Sequence, residues 1–359
     1  MSKAVFLAFT GPEIEQATNI VEIADRYECW NLKKFTLDEF VTELKIKIPP
    51  INNNVLRNYK LVEESADIWG ITEEKFKICS WGLFIPDGIE SALTNSYAET
   101  NFLINLYSPT FLYPVFYGSD FGITRSTLNK KLFHLSHLQN QSKNFSKKEF
   151  VTFFKTLLPQ SQYGVWQLDR IQKWDAEDWR LFSASHLYFG LQDYDNHKSS
   201  FGWQRESADM GVILEALFTA GDAKNEDVGY RLRKRIAVLL SHKFSEIEAD
   251  IKKLYSKRSA FVHGSFFAQI AKESKTSFNN IPSPDFDILY RQKEYVRWAL
   301  VGCLFLAKEI KDRPNDYKNN KSVMSVLERA IIDTDLRNTI LVNTNTIFSL
   351  LPIADIKIN

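Results

Sequence analysis

From about residue 175 to the end, apolar side chains recur at intervals of three and four, the spacing of one helix face. The pattern predicts helices over "AEDWRLFSASHLYFGLQDY", "SADMGVILEALFTAG", "EDVGYRLRKRIAVLLSH", "FSEIEADIKKLYSKRSAFVHG" and "ILYRQKEYVRWALVGCLFLAKEI". Ser207 is the expected N-cap of the second, and Gly221 follows its end. "KSVMSVLERAIIDTDLRNTIL" adds one or two short helices. Consecutive amphipathic helices with short connections imply a helical bundle.

The first half is mixed. "KAVFLAF" and "FKICSWGLFIP" have the look of strands or short buried segments, whereas "EIEQATNIVEIADRY" and "TLDEFVTEL" carry helical spacing. "NLYSPTFLYPVFYGSDFGITR" is aromatic, with Pro109, Pro114, Gly118 and Gly122, which suggests irregular strands and turns. "NFSKKEFVTFFKTLLPQ" predicts a helix from a Ser146 N-cap to Pro159. The expected class is mainly α: a mixed α/β N-terminal domain over 1–165, a helical bundle over 166–312 and a C-terminal helical extension over 313–359.

Composition narrows the partners. Charged residues make up 25% and the formal net charge is +1, so no global field points to a polyanion or a membrane, and any such site is a local patch. Cys29, Cys79 and Cys303 stand far apart, in neither a disulfide nor a zinc spacing, which fits a reducing cytosol. The longest apolar run, "WALVGCLFLA", is about half of a membrane span and reads as a buried helix. The expectation is a cytoplasmic protein with no membrane partner.

One stretch stands out, "YSKRSAFVHGSFF" at 255–267. On a helical wheel, Phe244, Ile247, Ile251, Leu254 and Phe261 share a face, and Arg258 falls inside it. An arginine there needs a carboxylate, an interface or an anionic ligand. His263 follows five residues later, about 140° around the axis and about 7.5 Å along it, so the two side chains diverge on a continuous helix. Two resolutions exist. Gly264 can end the helix early and let the last turn unwind, re-aiming His263. Alternatively, two copies of the helix meet across a dimer interface.

Over about 175–310 the chain resembles the Apea-like branch of the HEPN superfamily. The resemblance is carried by "LEALF", "RIAVLL" and "LYSKRSAFVHG", in that order. It implies a helical bundle that dimerises and, in many members, cleaves RNA without a metal. The Arg-x(4–6)-His motif of those members falls on Arg258 and His263, and the polar residue after the arginine is Ser259. The resemblance implies supporting places for Tyr255 and Gly264, and a defence or toxin effector triggered by a phage component or restrained by an antitoxin. Implied partners are RNA and a second copy of the chain, without DNA. No cofactor is expected. The alternative is a HEPN module without activity, serving as a dimerisation or RNA-binding scaffold.

The residue types suit that chemistry. An arginine clamps a phosphate with a planar fork. A histidine moves a proton near neutral pH. Attack by the substrate 2′-OH yields a 2′,3′-cyclic phosphate and excludes DNA.

Other candidates carry plainer readings. Glu215 and Arg235 flank neighbouring apolar stripes, either orienting Arg258 or forming an ion pair between two helices; both are expected to be at least half-buried and paired. Arg231 and Arg233 in "RLRKR", with Lys252, Lys253 and Lys257, can meet RNA phosphates or simply face solvent. His134 and His137 have metal-ligand spacing but no third ligand nearby, so no metal is expected. Trp166, Trp174, Trp179 and Trp203 read as packing at a domain junction, with base stacking as the rival.

Overall fold

The computed structural model describes residues 5–10, 21–22, 31–34, 81–85, 102–103, 105–107, 113–119, 122–125, 147–164, 173–193, 202–219, 227–263 and 286–351. These residues are mainly helical. The chain divides into two compact units, Met1–Ser161 and Gln162–Asn359.

In the first unit, strands β1 (Val5–Thr10), β2 (Val21–Glu22), β3 (Asn31–Lys34), β4 (Trp81–Ile85), β5 (Tyr113–Ser119) and β6 (Gly122–Arg125) pair antiparallel in the order β2-β3-β4-β1-β5-β6. The β1–β5 register shifts between Ala8 and Phe9, where Pro114 lies opposite Phe9. A proline has no N–H for the ladder, so an irregularity there is its natural place. Val21–Glu22 lies inside the stretch whose spacing predicts a helix, and its pairing with β3 breaks that helix. Local period loses here to strand pairing. Helix α1 (Lys147–Leu157) follows and ends just before Pro159, as expected, and the chain goes on as a 3₁₀ segment, Leu158–Gly164. Within this unit Phe102, Leu106, Tyr107, Phe153 and Leu157 are buried, with Tyr107 edge-on to Phe153 at 5.1 Å. Residues 36–44, His134, His137, Ser146 and Trp166 lie outside the described residues.

The second unit holds α2 (Ala176–Asp193), α3 (Gly202–Phe218), α4 (Val228–Leu240), α5 (Ile247–Val262), α6 (Phe286–Asp312), α7 (Val323–Ala330) and α8 (Thr334–Phe348). Every residue of α6 from 294 to 307 is buried. A helix enclosed on all sides belongs at the centre, and α2, α3, α4, α5, α7 and α8 all pack on it. Two of its buried polar groups meet one carboxylate: Arg297 Nη2 donates to Glu294 at 2.5 Å, and Trp298 Nε1 donates to the same carboxylate at 3.1 Å. Cys303 is buried in this helix, and burial pushes its thiol up to about 12, which keeps it protonated. The residues after 312 are part of the same core. Phe348 packs on Trp298 at 5.1 Å, and Val323 N–H at the start of α7 donates to Glu177 of α2 at 3.0 Å.

Helix α3 begins five residues before the expected cap. Ser207 is buried within it, and the added turn is tied down by Glu206, which meets Lys293 of α6 at 2.5 Å. Gly221 lies outside the described residues. Trp174 and Trp179 join Tyr163 and Phe182 in one aromatic cluster of this unit, with ring centroids 5.1–6.0 Å apart. For Trp203 the structure describes the helical backbone only.

Two buried guanidinium groups fix the C-terminal end of α3. Arg180 of α2 donates to the Leu217 carbonyl, and Arg235 of α4 donates to the Phe218 carbonyl. The last carbonyls of a helix lack intrahelical partners and carry its negative dipole end, so cations suit them. This clamp sets the position of the preceding turn, which bears Glu215.

Candidate functional site

Helix α5 carries the residues singled out by the sequence. Its inward face buries Ile247, Ile251 and Leu254. Asp250 is also buried there and accepts from Tyr295 Oη at 2.8 Å and from Arg291 Nε at 3.2 Å, which ties α5 to α6. Burial first, and the Asp250 hydrogen bond second, push the Tyr295 phenol well above its ordinary range.

Arg258 lies on the α3 side of α5. Its Nη2 donates to Glu215 Oε2 at 2.7 Å, and each side chain is about one-fifth exposed. The close crossing depends on Gly211 of α3. A Cβ there would lie 2.8 Å from Arg258 Cγ and 2.9 Å from Arg258 Cβ. These are atoms of the stem, which cannot swing aside. The Arg258 Nε is buried and meets no acceptor among the described residues.

Burial pushes the Glu215 carboxyl above the ordinary glutamate range, and the Arg258 guanidinium draws it only part of the way back. A carboxyl raised in the folded state contributes stability below its unfolded pKa and loses it as pH rises through the folded value. At neutral pH the cost of burying the Glu215 charge therefore offsets part of what its pairing with Arg258 contributes. The pair fixes where the guanidinium points, at a crossing that is also closely packed.

The crossing yields a paired test. Gly211→Ala gains about 1 kcal/mol of helix propensity but meets overpacking of about 1–3 kcal/mol. Gly190, in α2, has nothing within 4 Å of a built Cβ, so Gly190→Ala takes the propensity gain alone. In urea denaturation, Gly190→Ala should be more stable than the wild type and Gly211→Ala less stable. Equal shifts in the two variants would contradict the close crossing.

His263 is the C-cap of α5 and is exposed. Its backbone N–H still donates to the Ser259 carbonyl at 3.0 Å, so the chain does not unwind before it. Early termination at Gly264, itself outside the described residues, is thus not the route by which His263 meets Arg258. Within one copy the two side chains stay about 140° apart around the helix.

The expected pairing of Glu215 with Arg235 does not occur. Glu215 meets Arg258, whereas the buried Arg235 donates from Nε to Glu328 of α7 at 2.6 Å. Glu215 and Arg235 sit near the two ends of the last turn of α3 and serve different neighbours. Of the basic residues, Arg233 donates from Nε to the Gly229 carbonyl at 3.1 Å, and Lys234 pairs with Glu248 of α5 at 3.0 Å. Lys253 stands 3.9 Å from Asp250. Arg231 and Lys257 are half-buried.

An open groove of about 510 Å³ runs between the start of α4 and the outer face of α5. Asp227, Gly229 and Arg233 line one side; Lys252, Tyr255, Ser256, Ser259 and Ala260 line the other. Asp227 is the N-cap of α4 and accepts from the Tyr230 N–H at 2.9 Å. Gly229 lets the Tyr255 ring approach, since a Cβ there would lie 3.2 Å from its Cε1. Burial first, and then the neighbouring Glu215 carboxylate, push the Tyr255 phenol up, so it remains a neutral hydroxyl. Tyr255 thus lines the groove and lies within electrostatic reach of the Glu215 carboxylate. The sequence reading did not single out Gly211, Gly229 or Ser256. A glycine inside an otherwise regular helix, as in "ADMGVILEAL", was the available signal for the first.

Among the described residues, no group of three or more His, Cys, Asp or Glu is placed to hold a metal ion, and no helix is long and apolar enough to cross a membrane. Comparison with protein-family models, with curated proteins and with solved structures gives no match.

Proposed function

We propose that the chain is an endoribonuclease of the HEPN type that works without a metal, acting in the cytoplasm as an anti-phage defence or toxin effector. One arrangement carries this reading. A guanidinium on α5, that of Arg258, is held in place by the Glu215 carboxylate of α3, and α5 ends on an exposed histidine. Because the two side chains diverge within one copy, the working site is composite, formed where two copies bring their α5 ends together. The mixed N-terminal region, 1–165, is the sensor for a phage-derived trigger or the seat of an antitoxin.

The chemistry follows from the side chains. A neutral His263 takes the proton from the ribose 2′-OH. The 2′-oxygen forms a bond to phosphorus while the bond to the 5′-oxygen breaks. The leaving 5′-oxygen receives a proton from the second copy's His263. Arg258 lies against the non-bridging oxygens and stabilises the charge that builds there. Ser259 is one helical turn before His263, about 40° from it around the axis, and is placed to hydrogen-bond the substrate.

Cleavage should therefore persist in EDTA, leave a 2′,3′-cyclic phosphate, and fail on DNA and on fully 2′-O-methylated RNA. Gel assays with these substrates and mass spectrometry of the product ends check this. Loss of activity in EDTA, or cleavage of the 2′-O-methylated strand, would contradict the mechanism.

A second reading has its own support. The Glu215 pair occupies Arg258 within one copy, as expected of a bundle that keeps the fold and acts as a dimerisation or RNA-binding scaffold.

A further inference from the structure

On α5, Lys252, Ser256, Ser259 and His263 follow one another at spacings of four, three and four. At about 100° per residue they fall within about 60° of one another around the axis. They form a line about 16 Å long. The first three line the α4–α5 groove, and His263 continues the line beyond it. Arg258 is on a different side of the helix.

The groove has the chemistry of a polynucleotide track. Lys252 is exposed, and Arg233 faces it from α4. The charged groups lining the groove are these two cations and Asp227, whose carboxylate is engaged in capping α4. Ser256 and Ser259 offer hydroxyls that donate and accept. Tyr255 offers a ring, and its place against Gly229 fixes that ring in the wall. The volume, about 510 Å³, falls in the range of small-molecule sites, roughly 300–1,000 Å³. An acidic ligand with a flat ring and polar edges suits these walls; a purely apolar one does not.

We propose that the α4–α5 groove binds the single-stranded RNA segment next to the scissile bond, with phosphate between Lys252 and Arg233 and a base against Tyr255, and delivers the chain along α5 to His263. This rests on the ribonuclease reading above and assigns that site its substrate track. Tyr255, Lys252 and Arg233 are then binding residues. The composite site thereby acquires a direction: the strand enters at the N-terminal half of α5 and reaches the reacting atoms at its C-terminal end.

The test is fluorescence anisotropy with the full chain and a short, fully 2′-O-methylated single-stranded oligonucleotide, which cannot be cleaved. Lys252→Ala, Arg233→Ala, Tyr255→Leu and, as an exposed control that does not line the groove, Lys321→Ala are compared across a salt series. Lys252→Ala and Arg233→Ala should each weaken binding several-fold and lower the salt slope by about 1. Tyr255→Leu should weaken it about tenfold, and Tyr255→Phe should restore it, since the ring does the work. Lys321→Ala should match the wild type. Wild-type binding that Lys252→Ala, folded by circular dichroism, leaves unchanged in both affinity and salt slope would overturn the groove, and so would an absence of binding by the wild type. A parallel cleavage assay separates the two proposals. Cleavage that depends on His263 but not on Lys252 leaves the ribonuclease reading standing without the groove. Lys252-dependent binding without cleavage leaves the groove standing as the RNA site of a scaffold.

Discussion

Replacing Arg235 with alanine is expected to destabilise the second unit by about 3 kcal/mol or more, a large share of the roughly 5–15 kcal/mol available to a domain. The side chain is 3% exposed and joins three helices: it rises from α4, donates to the Phe218 carbonyl ending α3, and pairs with Glu328 of α7. Its loss leaves a buried carbonyl unpaired, at about 1–3 kcal/mol, and opens a cavity where the stem lay. Glu328 is 43% exposed, so water receives its charge and little is added there. Arg235→Met fills the cavity and should recover part of the loss. An unchanged urea midpoint for Arg235→Ala would show that the clamp on α3 is not there. Because Glu215 sits one turn before this clamp, Arg235→Ala should also loosen Arg258, although it touches neither residue.

Arg235 and Arg258 show where sequence reading runs out. The helical stripes of α2 to α8 are legible because burial selects apolar residues at the helical period. The divergence of Arg258 and His263 is legible too, since five residues fix an angle on any helix. Which carboxylate meets which arginine is not. Arg235 finds Glu328 93 residues later, and Arg258 finds Glu215 43 residues earlier. Those matches depend on how helices cross, which no local pattern records. The α3 start shows a different limit. Ser207 has the chemistry of a cap, yet a tertiary pair, Glu206 with Lys293, carries the helix one turn further back. Val21–Glu22 has helical spacing around it and is a strand through its partner β3. The groove escaped because its two walls come from separate helices, and its glycine has no side chain to attract notice.

The other large effect is on catalysis. His263 is exposed at the end of α5 and holds nothing in the core, so His263→Ala should keep its stability within about 0.5 kcal/mol of the wild type. If it carries the proton, its loss should slow RNA cleavage by about 10²–10⁴-fold. Arg258→Lys should fare no better. A lysine lacks the planar fork that spans two phosphate oxygens, and it cannot reproduce the guanidinium contact with Glu215. If two histidines serve one composite site, an excess of His263→Ala chains should also suppress a wild-type partner after subunit exchange. Light scattering at micromolar concentration should show both proteins self-associating to the same extent.

The most direct measurement is the initial rate of RNA cleavage by pure wild-type protein and by folded His263→Ala, side by side in EDTA. The account predicts that the wild type cuts single-stranded RNA and that the variant is slower by at least about a hundredfold. Equal rates for the two proteins would contradict it.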